Sequence, residues 1–482
     1  MVFADLFFIY VFLPVCLCIY FAAYGIKLKN AVLVVASLIF YAWGEPLWIL
    51  LLLFSTAVSH YGVLFFDYYK DKPKKKKTSF IITMVLSLAP LFLFKYTGFL
   101  VENINLLPLV NIPVPKITLP IGISFYTFQA LSYVIDCYWR KVTPQKSFSK
   151  YLLYISLFPS LVAGPIVRYQ TISEQIEDRK TTVDDVSEGL TRIVIGLSKK
   201  VIIANNLSVI VANIFGTDIT STSVVGTWLG AAIFALQVYF DFSGYSDIAI
   251  GLGRVFGFKL NENFNYPFLS KDIQEFWQRW HISLGSFFKD YLLYMPIFGK
   301  RHKYGGLLLV WFCTGLWHGA SWNFIIWGLF FGAFIMLEQF LSERIKKKNK
   351  QRKKASLNPI KIKIPVLIKH IYTKLILMVG FGIFYFEDTK ELGLFFKNLV
   401  GANNNKFSDI MLSTVLTNNV FLLIVAVIFS MPIYRGLKKA SVDYEFENFF
   451  SYVQTAICVI LLLVSSIMLV GATNNAFLYY RF

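Results

Sequence analysis

Charge is what this 482-residue chain has least of: Asp, Glu, Lys and Arg together make up 16% of it, against about 25% in soluble domains. Acid is the scarcer sign, with 28 Asp and Glu against 47 Lys and Arg. Cysteine is sparse as well. Cys16, Cys18, Cys137, Cys313 and Cys458 sit in apolar stretches without metal-ligand spacing. That excludes a disulfide framework and a metal site, and the five read as small buried hydrophobes. No glycine-rich phosphate loop, dinucleotide fingerprint, Gly-x-Ser-x-Gly elbow or His-Glu-x-x-His pair occurs. P-loop, Rossmann, serine-hydrolase and zincin chemistries therefore drop out. No internal repeat and no inverted halves of the transporter kind are visible.

What is present is apolar: 56% of residues are hydrophobic and 18% aromatic, with a mean hydropathy of +0.58. The excess runs from end to end, which favours one bilayer-embedded, all-α bundle over a string of soluble domains. The run Phe3–Gly25 is too long for a signal h-region and lacks a basic n-region, so it is expected to stay as a span. Residues 30–66 are apolar except at Gly44-Glu45-Pro46. At about 1.5 Å per residue that is too long for one crossing and predicts a hairpin. Further spans are expected at 79–95, 119–139, 150–167, 224–243, 304–318, 322–341, 364–386, 417–434 and 452–471. Pro90, Pro120, Pro159 and Gly164-Pro165 interrupt several of them. Broken backbone at membrane depth is tolerated only where protein or a wet cavity covers it. The more polar stretches 168–215 and 254–300 read as interfacial or re-entrant.

The net charge of +19 is concentrated between apolar runs. Lys70–Lys77 holds six lysines and one Asp, and Arg344–Lys363 holds ten basic residues and no acid. Such clusters mark the cytoplasmic side and attract anionic lipid headgroups. No aromatic-basic module accompanies them, so nucleic acid is not an expected partner. Lys27 and Lys29 follow the first apolar run, which places the N-terminus outside.

Five histidines remain as candidates for chemistry. His302 and His370 stand beside basic residues and read as solvated; His60 reads as a packed polar residue in a span. His318 ends an apolar run in Gly315-Leu316-Trp317-His318-Gly319-Ala320-Ser321-Trp322, where an ionisable group is costly and faces the bundle interior. Its flanking glycines admit close approach. The bland reading is a structural histidine bonded to a neighbouring helix. His281 lies in Glu275-Phe276-Trp277-Gln278-Arg279-Trp280-His281-Ile282-Ser283-Leu284. On a continuous helix, Trp277, His281, Leu284 and Phe288 would share one face; the bland reading is an interfacial helix with a tryptophan belt. Ion pumping would favour buried acids, and Asp136, Asp241 and Asp247 are the main ones available. A neutral imidazole taking a proton from an attacking hydroxyl is the chemistry that fits best.

Several ordered motifs carry a resemblance. They are Gly164-Pro165-Ile166-Val167-Arg168-Tyr169, Tyr239 to Asp247, Glu262-Asn263-Phe264-Asn265-Tyr266-Pro267-Phe268, Glu275 to Leu284, Leu316 to Trp322 and the aromatic ending Phe477–Phe482. Together they resemble the membrane-bound O-acyltransferase family, with the nearest likeness to bacterial alginate O-acetyltransferase membrane subunits and their cell-wall relatives. One departure is visible: the loop Asp290–Lys300 lacks the usual glycine pair before its basic residue. The resemblance implies one multi-pass domain over 1–482, with a core at about 119–341 and a helical wall around a central tunnel. It also implies His318 as the catalytic histidine and His281 as a second active-site position. The expected reaction moves an acyl group, most simply acetyl, from a cytosolic thioester such as acetyl-CoA to a hydroxyl of an exported polysaccharide or cell-surface polymer. An extracytoplasmic esterase-like protein is the expected partner. No metal and no permanently bound cofactor is expected. Arg279, Lys271 and Lys289 are the expected contacts for the donor phosphates. D-alanyl transfer to teichoic acid on the same fold, or transport of a polysaccharide or lipid-linked sugar, are the alternatives.

The topology is open to a direct check. In a cysteine-free background, cysteines at Lys75 and Lys350 should resist a membrane-impermeant maleimide in intact cells and react after permeabilisation. Reaction from outside at either position contradicts the orientation.

Overall fold

A computed structural model describes residues 1–216, 219–294, 302–359, 363–471 and 477–478, and regular structure among them is helical throughout. Eight helical stretches are long and apolar enough to cross a membrane: Gly25–Gly44, Ile49–Tyr68, Pro73–Ile104, Val183–Phe215, Val224–Val255, Trp322–Lys354, Val366–Tyr385 and Glu447–Val470. A ninth is formed by Ile410–Asn418 and Val420–Phe429 if that pair, bent by 63°, is one span. The chain is a multi-pass membrane protein. The hairpin expected over 30–66 is present, turning at Glu45–Trp48.

Several boundaries differ from expectation, each for a physical reason. Phe8–Ala22 is helical but only a short apolar helix. The stretch 119–139 becomes the 16-residue helix Ile123–Tyr138, whose residues from Ile123 to Cys137 are all buried. It is apolar all round because protein surrounds it. The stretch 150–167 breaks into Phe148–Ser156 and Phe158–Leu161, the second opening with Pro159 in its first turn. Each basic cluster is helical in part. Pro73 starts a helix through Lys74–Lys77, and the helix from Trp322 continues to Lys354, since Lys, Arg and Gln are good helix formers and no breaker precedes Ala355. Cys16 and Cys137 are buried, but Cys18 is exposed on its helix and Cys313 and Cys458 are half-buried. Residues 295–300 of the loop that departs from the family pattern, and 479–482 of the aromatic ending, lie outside the described residues.

Two compact units divide the chain. The first comprises Met1–Ile202, Phe240–Glu262 and Ser451–Phe482. It includes residues 183–202 of the stretch 183–215, which was expected to be interfacial and is long and apolar enough to be a candidate span. Its charges are carried inward and paired. Lys200 reaches Asp241 at 2.5 Å, Lys199 reaches Asp247 at 2.6 Å, and Arg192 bridges Asp247 at 2.8 Å and Glu262 at 2.5 Å. Three cations and three anions balance, which makes burial tolerable where a lone charge would not be. The approach that allows this pairing depends on small residues. A Cβ at Gly196 would lie 2.5 Å from the Gly244 carbonyl, and one at Gly189 2.8 Å from that of Gly251. Close helix contact through small residues is the usual way membrane helices associate. Asp241 also accepts a hydrogen bond from the backbone N–H of Leu478 at 2.7 Å.

The second unit comprises Ile203–Tyr239 and Asn263–Phe450, and it holds both candidate histidines. Its central feature is the hairpin of Lys303–His318 and Trp322–Lys354. A Cβ at Gly315 would stand 2.3 Å from the Phe324 carbonyl, and one at Gly328 2.3 Å from that of Trp311. No larger residue fits at either position, and the two glycines set how near the hairpin's arms lie.

Candidate active site

His318 is the last residue of the helix Lys303–His318; Gly319 follows in extended conformation and stops it. The hairpin's close packing turns the imidazole into the second unit, where it is 2% exposed. Trp327 stands edge-to-face against it at 4.7 Å between ring centroids, and Phe384 at 5.3 Å. Phe384 is held from behind. Asn323, itself fully buried, donates from Nδ2 toward the carbonyls of Ile383 and Phe384, each at 3.4 Å. Around Trp327, Trp277 lies at 5.4 Å and Phe331 at 5.4 Å, and Trp311 adjoins Trp277 at 4.8 Å. The histidine is thus set in an aromatic cage of low dielectric.

His281 is placed differently from the expectation. No single helix carries Trp277, His281, Leu284 and Phe288. One helix ends at Arg279, a second starts at Ile282, and His281 between them is left-handed at φ 45°, ψ 52°. A left-handed non-glycine residue stores strain and persists only where its surroundings hold it. Here Asn263 does so. Its carbonyl accepts the N–H of Ile282 at 3.0 Å. Its side-chain Oδ1 accepts the Ser283 N–H at 3.1 Å and the Ser283 hydroxyl at 2.9 Å. The third partner of that oxygen is Nδ1 of His281 at 3.2 Å. A backbone N–H can only donate, so the atom it meets is the amide oxygen, and Nδ1 must carry the ring proton. Nε2 is then the basic nitrogen. Burial pushes the ring's pKa down to about 3, which keeps it neutral at physiological pH.

The two histidines are brought to one neighbourhood. His281 packs at 5.6 Å against Trp317, the residue preceding His318. Among the predicted donor contacts, Arg279 is half-buried and committed to its own helix. It donates to Glu275 at 2.8 and 3.0 Å and to the Asn265 carbonyl at 3.1 Å. Lys271, before that helix, and Lys289, in the last turn of the next, are exposed; no described contact joins the three. His302 is exposed, as expected. His370 is not simply solvated, because its Nδ1 donates to the Ser270 carbonyl at 3.1 Å. His60 is packed between Tyr61, Phe148 and Tyr151. No cluster of three or more His, Cys, Asp or Glu suited to a metal occurs among the described residues.

Asn263, Asn323 and Glu338 were not singled out by sequence reasoning. Glu338 accepts the N–H groups of Ile273 and Gln274 at 2.9 and 3.1 Å and the Tyr372 hydroxyl at 3.1 Å. It anchors the start of the helix bearing Trp277. For Asn323 and Glu338 the available signal was polarity, since an Asn or Glu inside an apolar run needs a partner; Asn263 lies in the polar stretch Asn261–Asn265 and gave no such signal.

Fold and site together define a multi-pass helical membrane protein with two buried, neighbouring imidazoles and no metal cluster among the described residues. The model of the membrane-bound O-acyltransferase family matches residues 35–381, and the chain belongs to that family. It is an acyltransferase. It is similar to the probable alginate O-acetylase AlgI of Pseudomonas putida, at 33% identity over all of both chains. It also resembles the peptidoglycan O-acetyltransferase of Helicobacter pylori, at 30% identity over 98% of this chain and 96% of that one. The teichoic acid D-alanyltransferase of Bacillus subtilis is 29% identical over 59% of this chain and 74% of its own.

The Asn263 clamp leads to a measurable expectation. Asn263→Ala leaves three buried donors without their acceptor, at about 1–3 kcal/mol each before relaxation. His281→Leu removes one. In detergent, Asn263→Ala should unfold at a clearly lower temperature than His281→Leu. Equal unfolding temperatures contradict the clamp.

Proposed function

We propose that the chain moves an acetyl group from a cytosolic thioester, acetyl-CoA in the simplest case, to a hydroxyl of an exported polysaccharide or cell-wall polymer. A separate extracytoplasmic acyltransferase-like protein completes delivery. The observation that carries this reading is His318, a buried imidazole caged by aromatic rings at the end of a helix. What favours acetyl over D-alanyl is coverage: the relatives aligned over nearly the whole chain are named O-acetylases, whereas the D-alanyltransferase likeness spans 59% of it.

In this scheme the imidazole of His318 accepts the proton of the attacking hydroxyl as the oxygen bonds to the thioester carbonyl carbon. The tetrahedral intermediate collapses, the carbon–sulfur bond breaks, and the proton passes to the departing thiolate. Positive charge on His318 would be stabilised by the carbonyl end of its helix. His281, neutral and with Nε2 as acceptor, orients a hydroxyl by receiving its hydrogen bond. The cage keeps water from competing for the thioester. Arg279, Lys271 and Lys289 remain the proposed neighbours of the donor phosphates; Arg279 would have to leave Glu275 to bind one.

General-base assistance contributes about 10²–10⁴-fold. His318→Ala should therefore lower acetyl transfer by that order while the protein stays in the membrane and monodisperse. His281→Ala should lower it less. Near-normal turnover in His318→Ala overturns the assignment of the base.

A further inference from the structure

In the aromatic cage, one on the ring that packs on His318 and one on the ring behind it, stand two indole N–H groups whose hydrogen bonds are missing. Trp277 and Trp327 each bury Nε1 completely, and among the described residues neither nitrogen has a hydrogen-bond acceptor. The neighbours of Trp277 are the rings of Phe276, Trp311, Trp327 and Phe331. Those of Trp327 are His318, Phe384, Phe331 and Trp277. An aromatic wall offers at most a weak N–H···π contact, and a buried donor without an acceptor costs about 1–3 kcal/mol. One such orphan is unremarkable. Two on adjoining rings, 5.4 Å apart between centroids and carried by two different elements, one against the candidate base, point to a shared missing partner.

The chemistry of that partner is narrow. An indole nitrogen donates and never accepts, so the ligand atom must be an acceptor. The surroundings are apolar, where a donor's attraction to a developing negative charge is strongest. We propose that Trp277 and Trp327 are catalytic residues that donate their indole N–H groups to the acyl carbonyl oxygen as it becomes an oxyanion in the tetrahedral intermediate. Their placement on packed elements makes them preorganised, since Glu338 anchors the helix of Trp277 and Gly328 docks the helix of Trp327. Preorganised donors of this kind supply a large share of the rate enhancement in acyl transfer. The inference rests on the acyl-transfer reading of the site and adds to it the groups that hold the carbonyl.

The test replaces N–H by sulfur with little change of shape, using the benzothiophene analogue of tryptophan at 277, at 327 and at both. Full-length protein in nanodiscs is assayed for thiol release from acetyl-CoA with alginate oligosaccharides or peptidoglycan fragments as acceptor. Unfolding temperature is followed alongside, with His318→Ala in parallel. Each single analogue should lose about 10²–10³-fold in kcat with little change in the donor KM. Unfolding temperature should hold or rise, because an unsatisfied donor has been removed; a structural N–H would lower it. Wild-type kcat in the double analogue overturns the inference, as does a kcat loss accompanied by a lower unfolding temperature. An inactive His318→Ala beside a fully active double analogue would leave the acyl-transfer reading intact and remove only the oxyanion role. An active His318→Ala would remove the base itself.

Discussion

The Oδ1 atom of Asn263 carries more of the site than any other single atom. It receives hydrogen bonds from His281 and from both donors of Ser283, and Asn263 itself is fully buried. From that one acceptor follow the break between two short helices, the left-handed backbone of His281 and the position of the proton on its ring, while burial keeps that ring neutral. An apolar residue at 263 would leave a helix-forming sequence free to continue through His281 and turn the imidazole elsewhere.

The same constraint governs the first unit on a larger scale. Lys199, Lys200 and Arg192 are buried or half-buried in a chain that otherwise spends few charges, and each meets a carboxylate within 3 Å. Removing one member of such a set leaves a bare charge, which costs more than the intact pair contributes. The glycines at 189, 196, 244 and 251 are the geometric counterpart of this electrostatics, because side chains there would force the paired helices apart.

How much of this was legible in the sequence depended on whether the determining interaction was local. The hairpin over 30–66, the apolar spans and the interior position of His318 could be read from runs of hydrophobic residues and one costly imidazole. The span 183–215 could not, because its lysines and arginine make it look interfacial until Asp241, Asp247 and Glu262, some forty to seventy residues on, are folded against it. The helix drawn through His281 failed for a similar reason. Periodicity over 277–288 is compatible with one continuous helix, and the interruption comes from an asparagine 18 residues upstream. The basic clusters were legible as charge but not as structure, since lysine and arginine continue a helix as readily as they decorate a loop. Neither Asn323 nor Glu338 lies near in sequence to the residues it holds.

In the proposed reaction this chain activates a hydroxyl toward a thioester supplied from the side bearing its basic helices. The most direct measurement reconstitutes purified protein into liposomes loaded with alginate oligosaccharides or peptidoglycan fragments and adds acetyl-CoA labelled in the acetyl group outside. In vesicles oriented with the basic helices outward, label should appear on lumenal carbohydrate, with one equivalent of free thiol outside. Acetyl-CoA that stays intact at saturating concentration, with folded protein and both acceptors present, would contradict the account.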